Sequence, residues 1–227
     1  MTQSGYPVGK RLPRELFIAI EVICVVALVW LLCFGARVGV LAIQTLPSGK
    51  ETGPLGDPYP SWALWHFASG LVFVVLSLLQ LLGPLRRRFP GLHHLGGYAA
   101  IGAAYVAAVS AVAMAMILEG RPAFWRIWVA VQFVAIALML TRAALAARRR
   151  DFKLHQSWMI RSIAVAGAVF TQRLVFPFFP RAFGIHSDRE FWIQFTVAAL
   201  VATAINLLVA EAWLRSRFRR FGGAPPY

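Results

Sequence analysis

Gly96 to Leu118 reads GGYAAIGAAYVAAVSAVAMAMIL, and after the short break Glu119-Gly120-Arg121-Pro122 the stretch Ala123 to Leu145 reads AFWRIWVAVQFVAIALMLTRAAL. At about 1.5 Å per helical residue, each run is long enough to cross a hydrocarbon layer of about 30 Å. Working outward, four more runs of similar length appear at Leu16 to Val38, Trp62 to Leu82, Trp158 to Phe179 and Phe191 to Leu214. Hydrophobic residues make up 59% of the chain, charged residues only 14%, and mean hydropathy is +0.66, which is wrong for a soluble domain of 227 residues. An open sheet has no water to bond in lipid, and period-2 alternation is absent, so strands are excluded. The expected fold is all-α, a single integral membrane bundle of six transmembrane helices over residues 1–227, with residues 221–227 a disordered Gly/Pro-rich tail.

The connectors set an orientation. Lys10, Arg11, Arg14, Arg86, Arg87, Arg88, Arg142, Arg148, Arg149, Arg150, Lys153, Arg215, Arg217, Arg219 and Arg220 crowd the first, third, fifth and seventh polar segments. The other three hold only Arg37, Lys50, Arg121, Arg126, Arg181 and Arg189, together with five of the nine acids. Positive residues stay cytoplasmic, so both termini are expected inside, in a bacterial inner membrane. The formal charge of +14 is spread over connectors that share one membrane face, which points to anionic lipids as partners and excludes nucleic acid.

Several motifs fail on inspection. Lys10, Arg11 and Arg14 precede an apolar run, as in a secretion signal, but the run is too long and Phe34-Gly35-Ala36-Arg37 is a poor cleavage site. Cys24 and Cys33 lie on opposite sides of one helix and cannot pair with each other, and no zinc-ligand spacing exists. Ser48-Gly49-Lys50 is followed by Glu51 and lacks the leading glycine of a phosphate loop. Gly39 to Ser61 is rich in proline and glycine and reads as an irregular outer loop.

Ionisable groups within spans cost about 2.5 to 3.5 kcal/mol even on insertion scales, so each needs a partner or a purpose. They are Glu21, His66, Arg161, Arg173 and Glu211. With the histidines at helix starts they form two layers: Glu21, Gln80, His93, His155, Arg161 and Glu211 toward the cytoplasm, and His66, Gln132 and Arg173 toward the outside. Glu211 is at the right depth to pair with Arg161. On a continuous fifth helix, His155, Ser162, Ala166 and Arg173 share one line that points into the bundle. Below His93 the line reads Gly97, Ala100, Ala104, Ala107 and Ala111, and on the second span His66, Gly70, Phe73, Ser77 and Gln80 form one stripe. Such small stripes let helices approach closely.

A sharper reading takes His93 and His155 as axial ligands of one b-type haem. Neutral imidazole ligates haem iron, the small faces would flank a flat cofactor, and Arg148, Arg149 and Arg161 would meet the propionates. His66 with Arg173 would then form an outer quinone or anion pocket. Only Gln132 stands where a second haem would need a ligand opposite His66, so at most one haem is expected.

The run Pro90-Gly91-Leu92-His93 leading to Gly97, the run His155-Gln156-Ser157-Trp158-Met159-Ile160-Arg161-Ser162 with Arg173 beyond it, and His66-Phe67-Ala68-Ser69-Gly70 resemble the bacterial membrane proteins grouped as domain of unknown function 2306. The likeness covers Trp62 to Phe179, with His94 and Gln156 standing where that family usually has arginine. The resemblance implies a multi-pass membrane protein with His66, His93, His155, Arg161 and Arg173 as signature positions, and it implies no activity. Three functions follow as expectations: a haem-binding or quinone-linked redox protein, a small-solute or proton-coupled carrier built on the interior charges, and a non-catalytic scaffold for a membrane protein partner. A carrier is disfavoured by apolar runs that read as unbroken, and whether the chain is an enzyme stays open. No nucleophile is matched with a base and an orienting acid, so hydrolytic chemistry is disfavoured.

Overall fold

The segment expected to be the fifth span is broken. The computed structural model, which describes residues 61–117 and 121–219, forms it from three short helices in place of one. In chain order the helices are α1 (Ser61–Leu81), α2 (Gly83–Arg88), α3 (Pro90–Ile117), α4 (Ala123–Arg148), α5 (Phe152–Ala166), α6 (Ala168–Val175), α7 (Phe178–Phe183) and α8 (Asp188–Arg219). The first predicted span at 16–38, with Glu21, Cys24 and Cys33, lies outside the described residues, as do the loop up to residue 60 and the tail 221–227.

Among the described residues, four helices are long and apolar enough to cross a membrane: Ala63–Leu81, Pro90–Met116, Ala123–Arg148 and Asp188–Phe218. They match the second, third, fourth and sixth predicted spans and run beyond most of them. With 32 residues, α8 reaches about 48 Å and overshoots a hydrocarbon layer, so its basic last turns extend past the apolar slab.

Packing follows chain order. Helix α1 lies along α3, α3 along α4, α4 along α5, and α8 covers α5 and α6. Phe73, Ala100, Ala104, Ile136, Leu140, Ala143, Met159 and Val165 form the core, drawn from α1, α3, α4 and α5. The alanine line read from the sequence is the seam of this packing: Ala100, Ala104, Ala107 and Ala111 are all buried. Small side chains there bring the backbones together, and dispersion over the seam replaces the hydrophobic drive that lipid removes.

The turn from α4 to α5 is tight. Arg150 adopts a left-handed conformation (φ 60), its N–H reaches the Ala147 carbonyl, and Asp151 N–H reaches the Ala146 carbonyl, each at 3.0 Å. These bonds close α4 in the pattern usually built on glycine. Asp151 then caps α5, its carboxylate accepting Leu154 N–H at 3.0 Å.

The break comes at Gly167. Its own N–H still donates to Ile163 at 2.8 Å, but Phe170 N–H bonds back to the Gly167 carbonyl at 3.0 Å, a three-residue step that tightens the turn. A Cβ on residue 167 would stand 3.1 Å from the Ile163 carbonyl, a tight contact, and 3.5 Å from Asn206 Nδ2, an ordinary one, so what glycine relieves is crowding against the preceding turn. A second interruption follows at Phe176-Pro177, where proline has no N–H to continue the ladder. Replacing Asp151 by alanine should cost about 1 kcal/mol of stability in detergent, while asparagine retains most of the cap. Thermal unfolding of the two variants side by side checks this.

Candidate functional site

Two ends of the bundle carry the polar side chains singled out in the sequence, and the structure treats them differently. At the basic end, α3 begins with His93 and α5 with His155. His93 is half-buried and the adjacent His94 is exposed, so His93 is the inward-turned member of the pair. Its ring lies within electrostatic reach of Arg86, His94 and His155. His155 is fixed from the neighbouring helix, with Nδ1 2.9 Å from the carbonyl of Ala143 on α4. A carbonyl only accepts, so Nδ1 is the donor in this bond.

Other polar groups collect at the same level. The Gln80 amide lies against α3 so closely that a Cβ on Gly96 would stand 2.6 Å from its Nε2. About a turn earlier on α1, the Ser77 hydroxyl is 2% exposed and has no hydrogen-bond partner among the described residues. Native proteins seldom leave such groups unmatched, so a buried hydroxyl beside a bare imidazole level marks a place where something else can bond.

Arg161 is committed to a different task. Buried at 5% exposure, it donates from Nε to Glu211 Oε1 at 2.5 Å and from Nη2 to Glu211 Oε2 at 3.2 Å. The two-pronged geometry suits a guanidinium and a carboxylate, and it ties α5 to α8 across fifty positions of chain. Arg161 and Arg142 also approach the Trp158 ring, at 5.1 and 4.9 Å. The pairing expected from depth is thus present.

At mid-span the break in the fifth segment releases backbone carbonyls, and amides from two other helices take them. Asn206 of α8 donates to Ala164 O at 3.0 Å, Gln132 of α4 donates to Val165 O at 3.3 Å, and Thr171 of α6 donates to Asn206 Oδ1 at 2.8 Å. Gln172 is buried too and donates to Phe195 O at 3.0 Å. Asn206, Thr171 and Gln172 were missed by a reading that tallied ionisable groups. Their signal was available as amides and a hydroxyl in the middle of apolar runs.

Toward the other end, His66 Nδ1 lies 2.9 Å from the Ala107 carbonyl on α3, with its ring edge-on to Phe133 at 5.3 Å. Arg173 stands apart from it on α6, with its guanidinium 5.3 Å from the Phe195 ring of α8. Ser157, Arg161, Val165, Ala168 and Gln172 form the buried line of this segment, and Arg173, one residue on, is exposed. His66 thus contacts α3 and α4, while Arg173 contacts α8. Trp125, Phe176, Phe191, Trp192 and Phe195 cluster at this end through ring contacts. That is the aromatic composition of a membrane interface.

A family model described as predicted membrane protein (DUF2306) matches residues 63–214. The chain belongs to this family. It is therefore an integral membrane protein with several spans, and the DUF2306 match extends past Phe179 through most of α8. No curated protein and no solved structure matches the chain. Among the described residues of this DUF2306 protein, no group of three or more His, Cys, Asp or Glu is arranged to hold a bare metal ion. Replacing Glu211 by methionine should cost about 3 kcal/mol, because the buried Arg161 guanidinium is left unmatched; replacing Arg161 should cost less, because the Glu211 carboxylate is partly exposed, and the double replacement should recover most of the larger loss. Unfolding in detergent of the three variants measures the coupling.

Proposed function

We propose that this protein crosses a bacterial inner membrane six times with both termini in the cytoplasm, and that its basic end binds one b-type haem through His93 and His155. The observation that carries the reading is the bond between His155 Nδ1 and the Ala143 carbonyl. A histidine that ligates a metal almost always donates its other ring nitrogen to a fixed acceptor, which sets the tautomer and makes the free nitrogen more basic. Here the free nitrogen belongs to a ring within reach of a second, half-buried imidazole that has no hydrogen-bond partner of its own among the described residues.

The surroundings narrow the position of the cofactor. Ala100 and Ala104 are packed in one core with Phe73, Ile136 and Leu140, so that part of the small face is already filled. In this reading a flat group would lie above that core, at the level of the two histidines and near the end of α4. Arg148 and Arg149 at that end are exposed and supply charge for propionates, whereas Arg161 is held by Glu211. Bound there, haem would supply one-electron chemistry, and the protein would hold its iron and set its depth. Quinone is the membrane-soluble electron partner this chemistry calls for.

One observation favours a second reading, a small-solute or proton-coupled carrier. Carriers commonly use discontinuous helices near mid-membrane, and the fifth segment is discontinuous at Gly167 with amides and a hydroxyl around the break. In that reading the Arg161–Glu211 pair is an internal charge balance, and Arg173 faces the solute on its outer side.

Absorbance separates the two. Protein purified in detergent from haem-replete cells should show a Soret band, and His93→Ala and His155→Ala should each remove it while His186→Ala does not. A colourless wild-type protein would end the haem proposal, and pH-dependent flux in proteoliposomes lost in Arg173→Ala would support the carrier. Topology has its own check: single cysteines introduced at Arg87 and Arg149 should both label from the cytoplasmic side. Labelling from opposite sides would refute the six-span arrangement.

A further inference from the structure

We propose that residues 16–38, the first predicted span, pack against α8 at the basic end of the bundle, and that Glu21 completes a four-charge cluster there with Arg142, Arg161 and Glu211. The placement rests on the six-span arrangement and stands whether or not haem binds. Positive charge is in excess at this place. The Trp158 ring of α5 has the Arg142 guanidinium of α4 at 4.9 Å and the Arg161 guanidinium of its own helix at 5.1 Å. The two cations are thus no more than about 10 Å apart, close enough to repel in a medium of low dielectric. Glu211 answers Arg161. Arg142 is exposed and has no carboxylate partner among the described residues, although it stands six positions before Arg148, about 9 Å inside the end of α4.

The supply of acids is short. Of the nine in the chain, only Glu21 and Glu211 fall inside predicted spans. Asp151 caps α5, and Glu190 accepts the His186 N–H at 2.8 Å at the opposite end of the bundle. Glu21 stands five positions after Leu16, about 8 Å into its span from the cytoplasmic side, which is the level of Arg142. A carboxylate in hydrocarbon needs a cation at its own depth, and a guanidinium there needs a carboxylate. Two cations and two carboxylates then balance around Trp158.

The packing leaves a place for the helix that carries Glu21. Helix α1 lies along α3 and α8 along α5 and α6, while α1 and α8 share no packed seam among the described residues. Consecutive elements of a chain usually lie side by side, and residues 16–38 lead into α1 through residues 39–60. With one flank of α1 taken by α3, a helix on its other flank joins α1 to α8, and α8 is one wall of the seam that Arg161 and Glu211 hold. A lipid phosphate could meet Arg142 too, but it would leave Glu21 unmatched within its own span.

The full chain in a nonionic detergent provides the test. Glu21→Gln should lower the thermal midpoint by about 5 °C, adding Arg142→Gln should restore at least half of that loss, and adding Arg148→Gln should restore none of it. A photoreactive benzoylphenylalanine in place of Val25, one turn from Glu21, leaves all four charges intact and should crosslink to 207–215 of α8 or 139–146 of α4. A neutral Glu21→Gln, equal restoration by the two arginine variants, or crosslinks confined to lipid or to 92–105 of α3 would each overturn the placement. A neutral Glu21→Gln combined with a stabilisation by phosphatidylglycerol that Arg142→Gln abolishes would give the cluster to a lipid phosphate, which also overturns it. A single cysteine at Lys10 separates the two levels of the argument: labelled from the cytoplasmic side, it confines any such failure to the docking of Glu21, and labelled from the outside, it removes the six-span arrangement and this placement together.

Discussion

Backbone N–H and C=O groups have no water to bond inside a hydrocarbon layer, and that constraint decides what can interrupt a helix there. Every released carbonyl must find a donor in the protein or cost several kcal/mol. At Gly167 the donors come from two different helices, Gln132 from α4 and Asn206 from α8. The break is therefore a three-helix joint. Glycine relieves crowding against the preceding turn, and the Asn206 amide both caps the turn and receives Thr171 from its far side.

The charged pair one and a half turns before the break works on the same helices with the opposite result. Arg161 and Glu211 lock α5 to α8, and His155 bonds α5 to α4 through the Ala143 carbonyl. Helix α5 is thus held on two sides by directional bonds at its basic end. Ion pairs in low dielectric are costly to desolvate and are weak stabilisers overall, but once formed they tolerate little displacement. Rigidity is what a pair of histidines needs if both are to meet one ligand, since a shift of about 1 Å is enough to lose coordination geometry.

The α-helical class and four of the membrane-length helices were legible because they depend on a sum over about twenty residues, which no single side chain overrides. The seam of Ala100, Ala104, Ala107 and Ala111 was legible for the same reason: its period is that of the helix. Pairing of Arg161 with Glu211 followed from depth alone, because an interior charge must be answered at its own level. The break at Gly167 was not legible. Glycine is common in membrane helices, and what makes this one a joint is the arrival of Asn206 from residues far along the chain. The buried face also takes in Arg161, Val165, Ala168 and Gln172, and it leaves Arg173 exposed. The His93 face was read correctly as small, but the sequence could not say that α1 covers it, with Gln80 lying on Gly96.

The joint also divides the protein into parts with different freedom. Helices α1, α3, α4 and α5 share one core, from Phe73 to Val165. Helix α6 packs chiefly on α8 and meets α5 only around Gly167. Motion at the joint would carry α6, with Arg173 and Gln172, along the face of α8 while leaving His93, His155 and the Arg161–Glu211 pair where they are. A rigid basic end suits a fixed cofactor, and a hinged opposite end suits a partner or solute that enters and leaves. The two functional readings thus draw on different halves of the molecule, and the hydrogen bonds of Asn206 stand at the boundary between them.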